Sequence, residues 1–235
     1  MSDVVAHSSP DNPDDPASRP APPARGRVTA PWSKRILDLV ITVPLLAVLS
    51  PLLALIAVAI KLTSRGPVMF RQQRIGLADE PFMMLKFRSM VVDAPDNDAA
   101  HRQAFFDELA GVREAENDSF KLANDPRVTR VGGVLRATSL DEITQLFNVV
   151  RGEMSLVGPR PMLDWEADAI PQEFRRRTDV LPGITGLWQV SGRSRLSTPD
   201  MMRLDLEYVD RWSIWLDIQI LFRTIPTVLR GDGAR

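Results

Sequence analysis

Asp141 and Glu142 are adjacent carboxylates at the start of an amphipathic run. They lie within R-A-T-S-L-D-E-I-T-Q-L-F-N-V-V-R-G-E-M-S-L-V-G-P-R-P at 136–161. Arg136 precedes the pair and Arg160 follows in a Gly-Pro-Arg-Pro turn. An ionised carboxylate can attack phosphorus as a nucleophile. An anionic diphosphate repels it, and Mg²⁺ bridging carboxylate and phosphate oxygens, with Arg and Lys around the group, removes that obstacle. The motif-bearing stretches offer Lys86, Arg88, Arg136, Arg160 and Arg193 as phosphate-binding cations. Asp141 and Glu142 are the candidate catalytic and metal-holding residues.

The same tetrapeptide has a purely structural reading. Ser139 with Glu142 three residues later matches a capping box, opening a helix whose apolar face carries Ile143, Leu146, Phe147 and Val150. The two readings coexist, because a carboxylate in a first helical turn is held as an anion by the exposed N–H groups and the helix dipole. Neighbouring helical residues diverge by about 100°. Asp141 and Glu142 therefore have different jobs.

The composition narrows the chemistry further. The 235 residues suffice for one domain with a sizeable core and appendages. A formal net charge of −1 argues against a nucleic-acid binder, which carries a basic excess. There is no cysteine, and His7 and His101 are the only histidines. Thiolate sites are excluded, and a His-rich zinc centre or Ser-His-Asp machine is disfavoured. Neither a Walker A sequence nor G-x-G-x-x-G occurs, so those loops hold no nucleotide here.

The elements that must position the acid pair begin after a tail. Residues 1–31 hold seven of the nineteen prolines and almost no large apolar side chains, which predicts disorder. Ile36 to Ile60 is a 25-residue apolar stretch, long enough on its own to cross about 30 Å of hydrocarbon as a single-pass anchor. Two features pull the other way. Ser50-Pro51 falls near the middle, where proline removes a backbone hydrogen bond and bends a helix; the Ser50 hydroxyl is a partner for the freed carbonyl. Basic residues flank both ends, Lys34 and Arg35 before and Lys61 and Arg65 after. Positive flanks favour the cytoplasmic side, so this pattern suits a segment that enters and leaves by one face.

Pro67 to Met90 reads as a small β-hairpin turning at 76–80, with Arg71, Arg74, Lys86 and Arg88 along it. Residues 91–124 are polar with a short helical pattern around Phe105, Phe106 and Leu109. Trp165 to Arg177 reads as a charged helix, and 181–195 as a Gly-rich loop exposing Arg193 and Arg195. Trp212 to Leu229 has apolar residues at 214, 218, 221, 225 and 228. Tyr208, Trp212 and Trp215 gather at its start as rings do at a headgroup boundary, which suggests an interface-lying amphipathic helix. The same face would serve equally well in a core.

Taken together, the blocks K-R-I-L-D, Ser50-Pro51, F-R-Q-Q-R-I-G at 70–76, K-F-R-S-M at 86–90, L-R-A-T-S-L-D-E at 135–142, Q-L-F-N-V-V-R-G-E-M-S-L-V-G-P-R-P at 145–161 and P-G-I-T-G-L-W-Q-V-S-G-R at 182–193 carry a family likeness. From about Lys34 to Arg230 the chain resembles the bacterial sugar transferases, the monotopic polyprenyl-phosphate phosphoglycosyl transferases. Thr144 departs from the proline that many members carry. The resemblance implies an α+β, mostly helical fold with an N-terminal re-entrant membrane helix-hairpin at 32–64 and a cytoplasmic catalytic domain at 65–235 on the inner membrane. It implies attack by Asp141 on the β-phosphate of a nucleoside diphosphate sugar, a covalent phosphosugar enzyme, and transfer to polyprenyl phosphate, with Mg²⁺ required. Glu142 would be the second member of the dyad; Arg136 and Arg160 would carry phosphate charge. The product would start a surface glycan that downstream glycosyltransferases extend. The insert at 91–124 resembles that of members transferring glucose or galactose 1-phosphate. A membrane-bound Mg²⁺-dependent nucleotide-sugar pyrophosphatase, with water in place of the lipid, is the alternative, and a non-catalytic membrane-surface scaffold a third.

Overall fold

The computed structural model describes residues 31–91, 98–111, 127–192 and 196–229. The proline-rich tail, Arg193 and Arg195 lie outside these residues, as does the side chain of His101. The chain is mostly helical with two small sheets.

The apolar stretch forms one helix, α1 (Trp32–Thr63), and helical structure continues through both Pro44 and Pro51. Pro51 cannot donate to the Ala47 carbonyl four residues back. The Ser50 hydroxyl donates to that oxygen instead, at 2.8 Å, as the sequence suggested. Burial along α1 recurs every four residues, at Lys34, Asp38 and Thr42 near one end and at Ile56 and Ile60 near the other. Between these ends Val43, Leu45, Val48 and Leu55 are exposed. Both ends dock on the same body. Ile41 and Leu46 touch the main core built from Met84, Leu146, Val149, Met154 and Tyr208. Ile56 and Ile60 join Phe87 and Leu135 in a separate cluster.

The hairpin is as expected. Strands β1 (Met69–Ile75) and β2 (Pro81–Phe87) pair antiparallel with Gln72 opposite Met84. The turn between them puts Ala78 and Asp79 at positive φ, 57° and 63°. The insert contributes α2 (Asp98–Leu109), and α3 (Arg130–Ala137) follows. Next come a single 3₁₀ turn (Leu140–Glu142), α4 (Gln145–Arg151) and β3 (Ser155–Val157). Asn148, fully buried on α4, completes the hairpin edge. Its Oδ1 accepts from Leu85 N–H at 3.0 Å, and its Nδ2 donates to Met83 O at 2.8 Å. The inward face of α4 is thus Leu146, Asn148 and Val149, whereas Val150 is exposed.

The expected charged helix at 165–177 is two elements. Helix α5 (Asp164–Ala169) stops before Pro171, and a 3₁₀ segment (Gln172–Asp179) continues. Proline is the reason, since the residue before it disfavours helical geometry. Strand β4 (Gly183–Thr185) pairs parallel with β3. A Cβ on Gly158 would lie 2.3 Å from Leu181 O, and one on Gly183 2.0 Å from Gly158 N. Only glycine lets these two backbones meet. Three helices finish the described chain: α6 (Leu187–Ser191), α7 (Thr198–Arg211) and α8 (Ile214–Leu229).

A buried polar knot joins α1 to the C-terminal helices. Lys34 Nζ donates to Asp217 Oδ2 at 2.7 Å, to Val157 O at 2.9 Å and to Tyr208 OH at 3.0 Å. Tyr208 OH donates to Asp217 Oδ1 at 2.7 Å. Burial and the adjacent Asp217 push the Tyr208 hydroxyl far above its usual range, so it stays a neutral donor. Tyr208 is therefore a core residue rather than part of a headgroup belt, and Trp212 is half-buried against Asp217. Trp215, Phe222 and Ile225 on α8 do face outward. Next along α1, Asp38 Oδ1 accepts from Ser155 Oγ and Leu156 N–H, both at 3.0 Å. Arg35 donates through both Nη atoms to the carbonyls of Val149 and Val150, at the C-terminal end of α4. Lys34 and Arg35 thus tie the helix to the body.

Candidate active site

Asp141 and Glu142 sit on the 3₁₀ turn between α3 and α4. Helix α3 is started by Thr129, whose hydroxyl accepts from Gly132 N–H at 2.9 Å. It ends at Thr138, and Ser139 then adopts left-handed geometry, φ 56° and ψ 18°. The capping box expected at Ser139 and Glu142 does not form, because Ser139 makes no side-chain cap bond. An N-cap residue needs extended backbone to bring its hydroxyl over the next turn. The left-handed conformation costs a non-glycine residue of order 1 kcal/mol and is of the kind that persists at functional sites. It lets the chain reverse abruptly, so the acid pair stands on its own short turn instead of in the first turn of α4.

Glu142 is taken by the hairpin. Lys86 Nζ donates to Glu142 Oε1 at 2.8 Å, with side-chain exposures of 23% and 45%. Lys86 and the acid pair are thus brought together from elements more than fifty residues apart in sequence. Arg136 lies on the last turn of α3, one turn before Asp141, and its side chain has no partner among the described residues. Its carbonyl accepts from Ser139 N–H at 3.3 Å, which ties it to the same reversal. Arg88 has a different neighbour. It is buried, and its Nη2 donates to Ser64 O at 2.9 Å and to Ser64 Oγ at 2.8 Å, at the C-terminal end of α1. A cation at a helix C-terminus complements the dipole there. Arg160 stands on the Gly-Pro-Arg-Pro turn with its side chain 38% exposed.

That turn is pinned on all sides. Gly183 N–H donates to Pro159 O and Ile75 N–H to Met162 O, both at 2.8 Å. Arg74 Nη1 donates to Pro161 O at 3.2 Å, and Arg177 Nη2 to Arg160 O at 3.4 Å. Arg177 is held in turn by Asp205 at 2.6 Å. Burial pushes the Asp205 carboxyl up to about 6 despite that partner. A small crevice, of about 10 Å³, lies against the turn, lined in part by Gly76, Arg160, Arg177 and Thr178.

Among the described residues no group of three or more His, Cys, Asp or Glu side chains could cage a metal ion. The donor set of Asp141 and Glu142 nevertheless suits Mg²⁺. That ion keeps several waters and is bound through one or two carboxylates plus substrate phosphates.

Sequence reasoning missed Asn148, Glu166, Asp205 and the Lys34–Asp217 pair. Glu166, Asp205 and Asp217 had a signal, a charged side chain on a helix face that is otherwise apolar; Lys34 and Asn148 lie on faces they share with other polar residues and had none.

The sequence profile described as bacterial sugar transferase matches residues 29–231. The chain is 43% identical over 219 residues to a UDP-glucose:undecaprenyl-phosphate glucose-1-phosphate transferase of Caulobacter vibrioides, covering 88% of this chain and 74% of that protein. It is 41% identical to the exopolysaccharide production protein ExoY of Sinorhizobium fredii, covering 86% of this chain and 88% of the relative. It is 42% identical to an undecaprenyl-phosphate galactose phosphotransferase of Salmonella typhimurium, covering 86% of this chain but 41% of that longer protein. A profile spanning nearly the whole sequence, with relatives above 40% identity, shows that the chain belongs to the bacterial sugar transferase family.

Proposed function

We propose that the chain transfers a hexose 1-phosphate, glucose or galactose, from its UDP-sugar to undecaprenyl phosphate as a first step toward an exopolysaccharide. The relatives' named activities support the substrate classes. The observation that carries the reading is the acid pair on its own half-buried turn, with Glu142 fixed by Lys86 and Arg136 one turn away. In the first step an Asp141 carboxylate oxygen bonds to the β-phosphorus and the bond to the bridging oxygen breaks, releasing UMP. In the second, a phosphate oxygen of the lipid bonds to the same phosphorus and Asp141 leaves. Lys86 holds Glu142 in place, and Arg136 and Arg160 offset phosphate charge. Mg²⁺ held by Asp141 and Glu142 would supply charge neutralisation at the diphosphate.

Membrane placement follows the same logic. A span separates the two ends of a helix by about 30 Å of hydrocarbon, and a body on one side cannot then bury residues at both ends. Burial of Lys34 and Ile60 by one body, with exposed valines and leucines between, supports entry and exit through a single face. The cytoplasmic face is where UDP-sugars are. The outward Trp215, Phe222 and Ile225 support α8 lying at the headgroup boundary.

Asp141→Asn tests the chemistry. UMP release should fall to background with folding retained, and enzyme quenched after exposure to donor alone should carry the phosphosugar mass on Asp141. An unmodified peptide from enzyme still turning over would end the proposal. UMP released at the same rate without a lipid product would favour the pyrophosphatase. Tags at both ends of α1 should both label from the cytoplasm.

A further inference from the structure

Beside the Gly-Pro-Arg-Pro turn lies an ion cluster built around Glu166, on α5. Glu166 is 1% exposed. Its Oε2 accepts from Leu163 N–H at 2.7 Å and lies 3.8 Å from Arg74 Nη1, while its Oε1 faces Arg160 Nη1 at 3.4 Å. Arg74 is buried too, and its guanidinium is spent on Pro161 O and Gln72 Oε1 as well. One enclosed carboxylate is thus faced by two guanidiniums, one from β1 and one from the turn.

Capping α5 does not require this arrangement. A glutamate in a first helical turn caps equally well on the surface, whereas enclosing its charge costs several kcal/mol unless it is paired. The two arginines differ in a telling way. Arg74 is shut in, while Arg160 keeps its outer edge in solvent. The backbone of residues 159–162 is already pinned by four hydrogen bonds, so the freedom left at this turn is that of the Arg160 side chain. A long unrestrained side chain must lose rotamer freedom when it captures a ligand, and one held beforehand loses less. The long 3.4 Å contact leaves Arg160 able to shift toward an anion, and Arg74 would keep Glu166 paired when it does.

We propose that Glu166 is a positioning residue: it holds one edge of the Arg160 guanidinium so that the solvent-facing edge is presented to a substrate phosphate. This rests on the reading of Arg160 as a phosphate ligand. The test is a double-mutant cycle on full-length enzyme in nanodiscs, following UMP release from UDP-glucose and UDP-galactose with undecaprenyl phosphate. Glu166→Gln keeps the shape, and its amide oxygen can still accept from Leu163 N–H, while the amide NH2 then faces Arg160, so the charge and the acceptor toward Arg160 are removed together. Arg160→Ala and Glu166→Gln should each lower kcat/KM, the latter roughly tenfold. In the Arg160→Ala background Glu166→Gln should have no further effect. Effects that multiply, or a Glu166→Gln enzyme with unchanged kcat/KM, would overturn the proposal while leaving the role of Arg160 intact. An Arg160→Ala enzyme with wild-type kcat/KM would instead remove the phosphate reading beneath it. Should Glu166→Gln fail to accumulate, Glu166→Asp keeps the buried charge but withdraws it from Arg160, and the same cycle is expected of it.

Discussion

Replacing Lys34 with methionine should loosen the first half of α1 from the body. Lys34 is 3% exposed and Asp217 1%, and their ion pair is 2.7 Å long. Methionine keeps the aliphatic bulk but removes the ammonium, leaving Asp217 enclosed without its cation. Breaking a buried pair from one side costs about 3–5 kcal/mol. Asp217 would retain Tyr208 OH at 2.7 Å and Trp212 Nε1 at 3.3 Å, which places the cost near the lower end. For a chain of this size, about 3 kcal/mol lowers the melting temperature by roughly 6–12 °C. The informative comparison is Lys34→Met with Asp217→Leu. Removing both charges leaves no ion enclosed at 217, although the buried Asp38 still loses the cation that Lys34 supplied, so the double variant should recover most of the loss. Thermal unfolding of the purified protein in nanodiscs reads both. A single variant that melts with wild type, or a double variant no better than the single, would refute the assignment of the pair as a docking lock.

Asp205 should make stability depend on pH. Its folded-state pKa is raised, to about 6, so the folded protein binds the proton more tightly than the unfolded chain. The destabilisation from this group is complete above about 6 and is relieved as pH falls toward the ordinary carboxylate value. The melting temperature of wild type minus that of Asp205→Asn should therefore rise between pH 7.5 and 4.5, by the equivalent of about 2 kcal/mol; a flat difference would contradict the burial argument. Gly158→Ala should cost more than about 2 kcal/mol, because the atom its Cβ would meet at 2.3 Å is backbone that cannot turn aside. Ser139→Val should cost roughly 1–2 kcal/mol through its left-handed backbone, whereas Ser139→Gly should be tolerated; equal melting of the two would argue against strain at that position.

How much was legible in the sequence differs from element to element. The hairpin was, since alternating apolar residues and a Gly-Leu-Ala-Asp-Glu turn leave few other options. The helical character of the apolar stretch and the use of Ser50 against the Ala47 carbonyl were also legible, because proline's missing donor is a local fact; that one helix runs through Pro51, where a break was expected, was not. The acid turn was misread locally. Ser-x-x-Glu looks like a cap, and only the approach of Lys86 and the reversal at Ser139 make it otherwise. Pairings such as Lys34 with Asp217, or Arg177 with Asp205, join residues far apart in the chain. Periodicity within a segment carries no information about which distant charge will be enclosed with it. The partners of Arg88 and Arg160 were hidden for the same reason.

The two-ended docking of α1 has a consequence for the lipids around it. On the proposed placement through a single face, a helix whose ends are both held by one body has no far end to match to a second headgroup layer. Hydrophobic mismatch, which costs a spanning helix fractions of a kcal/mol per Å, has no counterpart here. If the proposed placement holds, bilayers of short or long acyl chains should set the acid turn at the same height, and turnover should not depend on membrane thickness.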